Sequence, residues 1–203
     1  GVDMSSIVVS GVGEVKVKPD VAYLNIGVET FDIDANTAQQ ANAKDMAAII
    51  DALNKAGLSE DDIKTTQYNI YKTYKPKDLH TQEKSNERIE GYKCVNMVEL
   101  TINNVNETGK IIDVASKAGA NNIHNIRFGI KDQEKYYNEA LKNAVNNAKT
   151  KANTMAVAID VSINKPYKIV ENSGGYSLYL YRDTMYKAES LAANYSTPVD
   201  AGE

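Results

Sequence analysis

The sequence predicts an α+β protein, and three observations carry that expectation. Runs of period-two hydrophobicity alternate with runs of helical period. Between residues 21 and 130 they come in the order strand, helix, strand, strand, helix, strand. Within that stretch a helix followed by Gly57, Ile63, Tyr68 and Ile70 echoes a helix followed by Gly119, Ile123, Phe128 and Ile130, with the same spacing among the last three residues. This is the order of a split βαβ, ferredoxin-like unit.

Each element has its own signal. Over 7–30, Val15 and Val17 alternate with Glu14, Lys16 and Lys18, and Ala22, Leu24, Ile26 and Val28 share a face. Pro19-Asp20 is a turn signal, so two strands are expected there. A helix over 34–56 follows from Ala38, Asn42, Met46, Ile49 and Leu53, with Asp34 as N-cap and Gly57 as the C′ residue. Residues 63–74 return to strand, with Tyr68, Ile70 and Lys72 on one face and Asn69, Tyr71 and Thr73 on the other. The polar stretch 75–88 with Pro76 reads as a loop or exposed hairpin tip. Strand 90–102 places Tyr92, Cys94, Asn96, Val98, Leu100 and Ile102 on one face. A helix over 106–118 ends at Gly119, and strand 122–130 carries Ile126, Phe128 and Ile130 in step. The longest helix is expected over 132–159, on a stripe of Tyr137, Leu141, Ala144, Val145, Ala148, Ala152, Met155 and Ile159. Residues 167–170 read as one more strand, and 172–203 as a tail of different character after Ser173-Gly174-Gly175.

Composition excludes several classes. The chain has 203 residues, enough for one large domain or two small ones, and 42% hydrophobic with 25% charged residues is ordinary for a globular protein. A net charge of −4 gives no basic footprint for nucleic acid. The single cysteine, Cys94, permits no internal disulfide and sits inside an apolar strand, where a structural thiol is expected. No run approaches the roughly 20 apolar residues of a membrane helix. The start, Gly1 to Ser6, reads as a trimmed or engineered end, compatible with a removed export signal.

No constellation supplies catalytic, cofactor or metal chemistry. Gly11-Val12-Gly13 lacks the third glycine and the following helix of a dinucleotide turn, so a bulge or a tight strand crossing is expected. Ser59-Glu60-Asp61-Asp62 lacks the spaced ligands of a calcium loop and reads as a capped helical turn. His80 and His124 have no ligand-spaced neighbours. The oddity is tyrosine: 13 Tyr against 2 Phe and no Trp. Tyr68, Tyr71 and Tyr92 fit a half-buried sheet surface. Tyr176, Tyr179, Tyr181 and Tyr186, in a polar setting, fit an interface with another subunit or a partner.

These residues carry a resemblance. Val8-Val9-Ser10-Gly11-Val12-Gly13-Glu14-Val15 with Lys18-Pro19-Asp20-Val21-Ala22 resembles the opening signature of SIMPL-domain proteins. Gly91 to Asn96 resembles that family's Gly-Tyr-x-Val-x-Asn run, with Cys94 in place of the valine. The stretches from Ile111-Ile112-Asp113 through Gly119-Ala120-Asn121 and the Ala-rich helix 139–158 are also similar, and the likeness spans about 7–198. The resemblance implies one SIMPL domain of two intertwined α/β sandwich subdomains. One would be the ferredoxin-like βαββαβ unit at 21–130. The other would comprise 7–20 plus 131–203: N-terminal strands, the long helix and C-terminal strand or strands. It implies export to the periplasm or cell surface, ring-like oligomers in some members, roles in stress tolerance, antigenicity or protein interaction, and no established catalytic residues. Members continue past a Thr-Pro-(Ile/Val)-x-x-Gly stretch into a final strand, whereas this sequence ends at Glu203, where that strand would begin, so a truncated edge open to pairing is expected.

The leading functional expectation is therefore a non-enzymatic exported protein acting through homo-oligomerisation or a protein partner. One alternative is a small-molecule or redox-related enzyme with a pocket between the subdomains, using Cys94 or His124. Another is a cytosolic signalling adaptor, as animal members of the family suggest.

Overall fold

The computed structural model describes residues 5–80, 82, 84, 88–172, 199 and 201. These fall into two compact units: 19–129 with 199 and 201, and 5–18 with 130–172.

The larger unit is built on a four-stranded antiparallel sheet of β1 (Val21–Asp32), β2 (Ile63–Tyr74), β3 (Ile89–Ile102) and β4 (Asn122–Gly129), in the order β2-β3-β1-β4. Helix α1 (Ala35–Lys55) joins β1 to β2, and α2 (Thr108–Lys117) joins β3 to β4. Each helix thus connects two parallel strands that flank an antiparallel third, the split βαβ arrangement. The core lies on the helix side. Leu24, Ile26 and Val28 of β1 and Val98, Leu100 and Ile102 of β3 pack against Met46, Ile49 and Leu53 of α1 and Ile111, Ile112 and Ala115 of α2. Val199 packs on the same core.

The helix ends follow from local chemistry. Asp34 accepts the Thr37 amide at 2.9 Å, which satisfies one of the orphan donors of α1. Gly57 and Gly119 terminate α1 and α2 with φ of +106° and +116°, a backbone region that L side chains avoid. The α1 stripe read from the sequence (Ala38, Asn42, Met46, Ile49, Leu53) is the set buried in that helix. In β4 the register against β1 shifts between Tyr23 and Asn25. Asn125, with φ +57°, absorbs the extra residue as a bulge.

Two expected strands do not form. Residues 7–18 make only an isolated bridge at Val17, and 167–170 are irregular. A strand exists only when a neighbour takes its amides and carbonyls. Among the described residues neither stretch has a laddered partner. In the smaller unit, 5–18 lie instead on α3 (Gln133–Ala158), capped by Asp132, which accepts the Lys135 amide at 3.1 Å. The stripe expected on α3 also needs correcting. Tyr137, Leu141, Ala144, Ala148 and Ala152 of that stripe are half-buried, joined by Ala140 and the buried Ala156, whereas Val145, Met155 and Ile159 are exposed.

Candidate functional site

The Gly11-Val12-Gly13 motif lies in the smaller unit as an extended segment crossing α3. Ile7, Val9, Gly11, Gly13, Val15 and Val17 turn inward, while Val8, Ser10, Val12, Glu14, Lys16 and Lys18 face outward. The period-two pattern is thus real, although the ladder is missing. A Cβ on Gly11 would overlap the Ala144 carbonyl, and one on Gly13 the Ala140 carbonyl. The glycines and alanines together set the approach. Neither a bulge nor a phosphate turn is present.

The backbone of this segment is served by side chains. Lys151 Nζ donates to the Ser10 carbonyl at 2.9 Å, the Val12 amide donates to Asn147 Oδ1 at 3.1 Å, and Asn143 Nδ2 donates to the Glu14 carbonyl at 3.1 Å. Two periods match here. Four residues of helix rise about 6 Å, and two residues of extended chain rise about 6.6 Å. Residues 143, 147 and 151 can therefore meet 14, 12 and 10 in turn. A helix has no spare mid-backbone groups to offer a strand, so polar side chains act in their place. Position-by-position reading missed this row. Its signal is the i, i+4 repeat Asn143-Asn147, since asparagine is a poor helix former without a second role.

Beside this crossing, a shallow groove of about 370 Å³ is lined by Val9, Ser10, Asn147, Thr150, Lys151, Thr154 and Met155. Its hydroxyls have no carboxylate or imidazole among the lining residues to act as base, and its Lys151 is engaged with Ser10.

In the larger unit, Cys94 is fully buried on the helix side of the sheet. Above it Asn42 donates to the carbonyls of Val28 and Cys94 at 3.0 and 2.9 Å, tying α1 to both central strands. Hydrogen bonding with Cys94, and then burial, hold the Tyr68 phenol above its ordinary value. His124 cannot serve this thiol. It pairs with Asn25 while Cys94 pairs with Thr30, which puts the two about 16 Å apart along β1 and on opposite faces. His124 is exposed, with Nδ1 at 3.2 Å from Asn122 Oδ1. His80 is exposed in the loop after β2.

Ser59 to Asp62 form a capped 3-10 turn. The Ser59 amide and hydroxyl both donate to Asp62 Oδ2 at 3.0 Å, and Asn103 donates to its Oδ1 at 3.1 Å, so Asp62 is fully used by the fold. Among the described residues no three His, Cys, Asp or Glu side chains gather as a metal donor set. Tyr176, Tyr179, Tyr181 and Tyr186 lie outside the described residues.

A split βαβ sheet in one unit and a glycine-bearing segment crossing an Ala-rich helix in the other mark an α+β protein with no assembled acid–base centre among the described residues. Residues 7–203 match the family model SIMPL, described as a protein of unknown function (DUF541), and the chain belongs to that family. It is 30% identical to the 26 kDa periplasmic immunogenic protein of Brucella melitensis biotype 1, over 97% of this chain and 79% of the relative. The protein of the same name from Brucella abortus strain S19 is 29% identical over the same shares. The uncharacterized protein YggE of Escherichia coli K12 is 27% identical, over 86% of this chain and 68% of the relative. None of these names states a reaction. No helix among the described residues is long and apolar enough to cross a membrane.

Proposed function

We propose that this chain is a non-enzymatic, extracytoplasmic SIMPL protein that acts by self-association, with a part in stress tolerance. The observation that carries the reading is the fate of the chemically suggestive residues. Gly11 and Gly13 serve close packing, Asp62 serves a cap, and Cys94 is sealed away from His124. What the larger unit does expose is apolar sheet surface, including Tyr68, Ile70, Tyr71 and Tyr74 of β2. The periplasmic name of the Brucella relatives supports the location. Light scattering on the full-length chain is expected to give a mass above the 22.3 kDa of one copy. A strict monomer at high concentration would refute self-association. Substituting Cys94 or His124 by Ala is expected to leave stress protection in cells unchanged, and loss of protection in either would revive an enzymatic reading.

A further inference from the structure

The two edges of the sheet are built differently. At one edge, β4 is eight residues long, carries the Asn125 bulge and displays His124 and Arg127. Short length, a bulge and charge all blunt an edge against pairing. At the other edge, β2 is twelve residues long, and among the described residues β3 is its one strand neighbour. Its register shifts between Thr65 and Gln67 and between Thr73 and Tyr74 but is unbroken from Gln67 to Thr73, and Lys72 is the one charge between Thr65 and Tyr74. Helix α1 packs mainly over β1 and β3 and reaches β2 at Tyr68 through Gln39, so most of the face that β2 shares with them is left open. Tyr68 is 49% exposed, Ile70 40%, Tyr71 46% and Tyr74 50%, with apolar surface on both sides of the strand.

The ends of β2 carry opposite charge. Exposed Glu60 and Asp61 precede it with Lys64 just inside, and exposed Lys72, Lys75 and Lys77 lie at its far end before Asp78, so the two ends keep opposite net charge. An antiparallel copy of such a strand sets each acidic end beside a basic end, twice over, as a two-fold axis requires. We propose that β2 is the edge through which two copies of this chain pair, antiparallel about an axis at Ile70, joining their sheets into one. This rests on the self-association reading. Centred there, Tyr68 faces Lys72 of the second copy, a favourable aromatic–cation pair, and Asn69 faces Tyr71. Lys75 and Lys77 come beside the start of β2 and the Glu60–Asp62 turn of the second copy. An axis at Tyr68 would instead oppose Lys64 with Lys72 inside the paired strands, whereas the like pair of the Ile70 axis, Asp62 with Asp78, falls outside β2.

The test uses charge exchange in the full-length chain. Variant K75E/K77E makes both ends acidic, and variant E60K/D61K makes both ends basic. By sedimentation velocity each alone is expected to dimerise at least tenfold more weakly than wild type. An equimolar mixture is expected to recover dimer, which also shows that both variants are folded. Ile70→Lys is expected to weaken wild-type pairing as well, by facing two lysines at the axis. If wild type assembles and the two charge variants assemble as tightly, or the mixture recovers nothing, the β2 edge is wrong while self-association stands. If wild type is monomeric, both readings fall; if it assembles while a peptide partner or another segment of this chain occupies the edge, only the β2 reading falls.

Discussion

The two units hold an extended chain in two ways. In the sheet, β1 lies between β3 and β4 and exchanges backbone bonds with both, over an apolar core. In the smaller unit, residues 5–18 lie on a helix, fixed by glycine–alanine contact and by Asn143, Asn147 and Lys151. Backbone pairing is nearly indifferent to side-chain identity. Side-chain pairing is not, because it needs particular residues at matched periods on both elements. The Gly-x-Gly signature is the extended half of that match, and the alanine and asparagine rows are the helical half.

Substitutions that separate these two modes follow from the largest effect downward. Gly13→Val forces a branched side chain into the Ala140 carbonyl and is expected to cost on the order of 3 kcal/mol in the smaller unit. Urea denaturation, with proteolysis of the 5–18 segment as second readout, checks it. Wild-type resistance would show that the crossing is looser than described. Asn42→Ala strips two carbonyls of their donor inside the sheet unit and is expected to cost about 2 kcal/mol. A thermal midpoint unchanged from wild type would mean that α1 needs no polar tie to the strands. Asn147→Ala removes one acceptor on an exposed helix face and is expected to cost about 1 kcal/mol or less, read from the same denaturation curves. Asp160→Gly relieves a φ of +55° just past α3 and is expected to add about 0.5–1 kcal/mol; a loss of stability there would contradict the relief of strain.

The Asp34 cap supplies a pH test. Its hydrogen bonds to Thr37 hold its carboxyl below the ordinary 3.8. A depressed carboxylate stabilises the fold above its unfolded pKa and loses that contribution as pH falls through the folded value. Asp34→Ala is therefore expected to lower the melting temperature at neutral pH, with the gap to wild type closing in acid. A gap independent of pH would place the effect elsewhere.

Much of this contrast was legible in the sequence on the sheet side and little of it on the helix side. The α1 stripe, the bounds of β2 and the glycine caps follow from periodicity and from φ preference, which are local. The alternation of 7–18 was legible too, but alternation reports only which side chains turn inward. It does not say whether the backbone partner is a strand or a helix face. On α3 the expected stripe was right for Tyr137, Leu141, Ala144, Ala148 and Ala152 and wrong for Val145, Met155 and Ile159, which stay exposed because the inward face narrows to an alanine row. Asn42 sat in the expected core stripe, but its role needed the carbonyls of Val28 and Cys94 brought together by folding. The openness of β2 was hidden for the same reason, since its sequence does not say that α1 covers mainly its neighbours.

The most direct test of the contrast is hydrogen exchange at single amides in wild type and Asn147→Ala. The Val12 amide is expected to be protected in wild type far less than those of Ile26 and Val98, and to lose that protection in the variant while the sheet amides keep theirs. Equal protection of Val12 and Ile26, unchanged in Asn147→Ala, would mean that the signature segment is held by a backbone ladder after all.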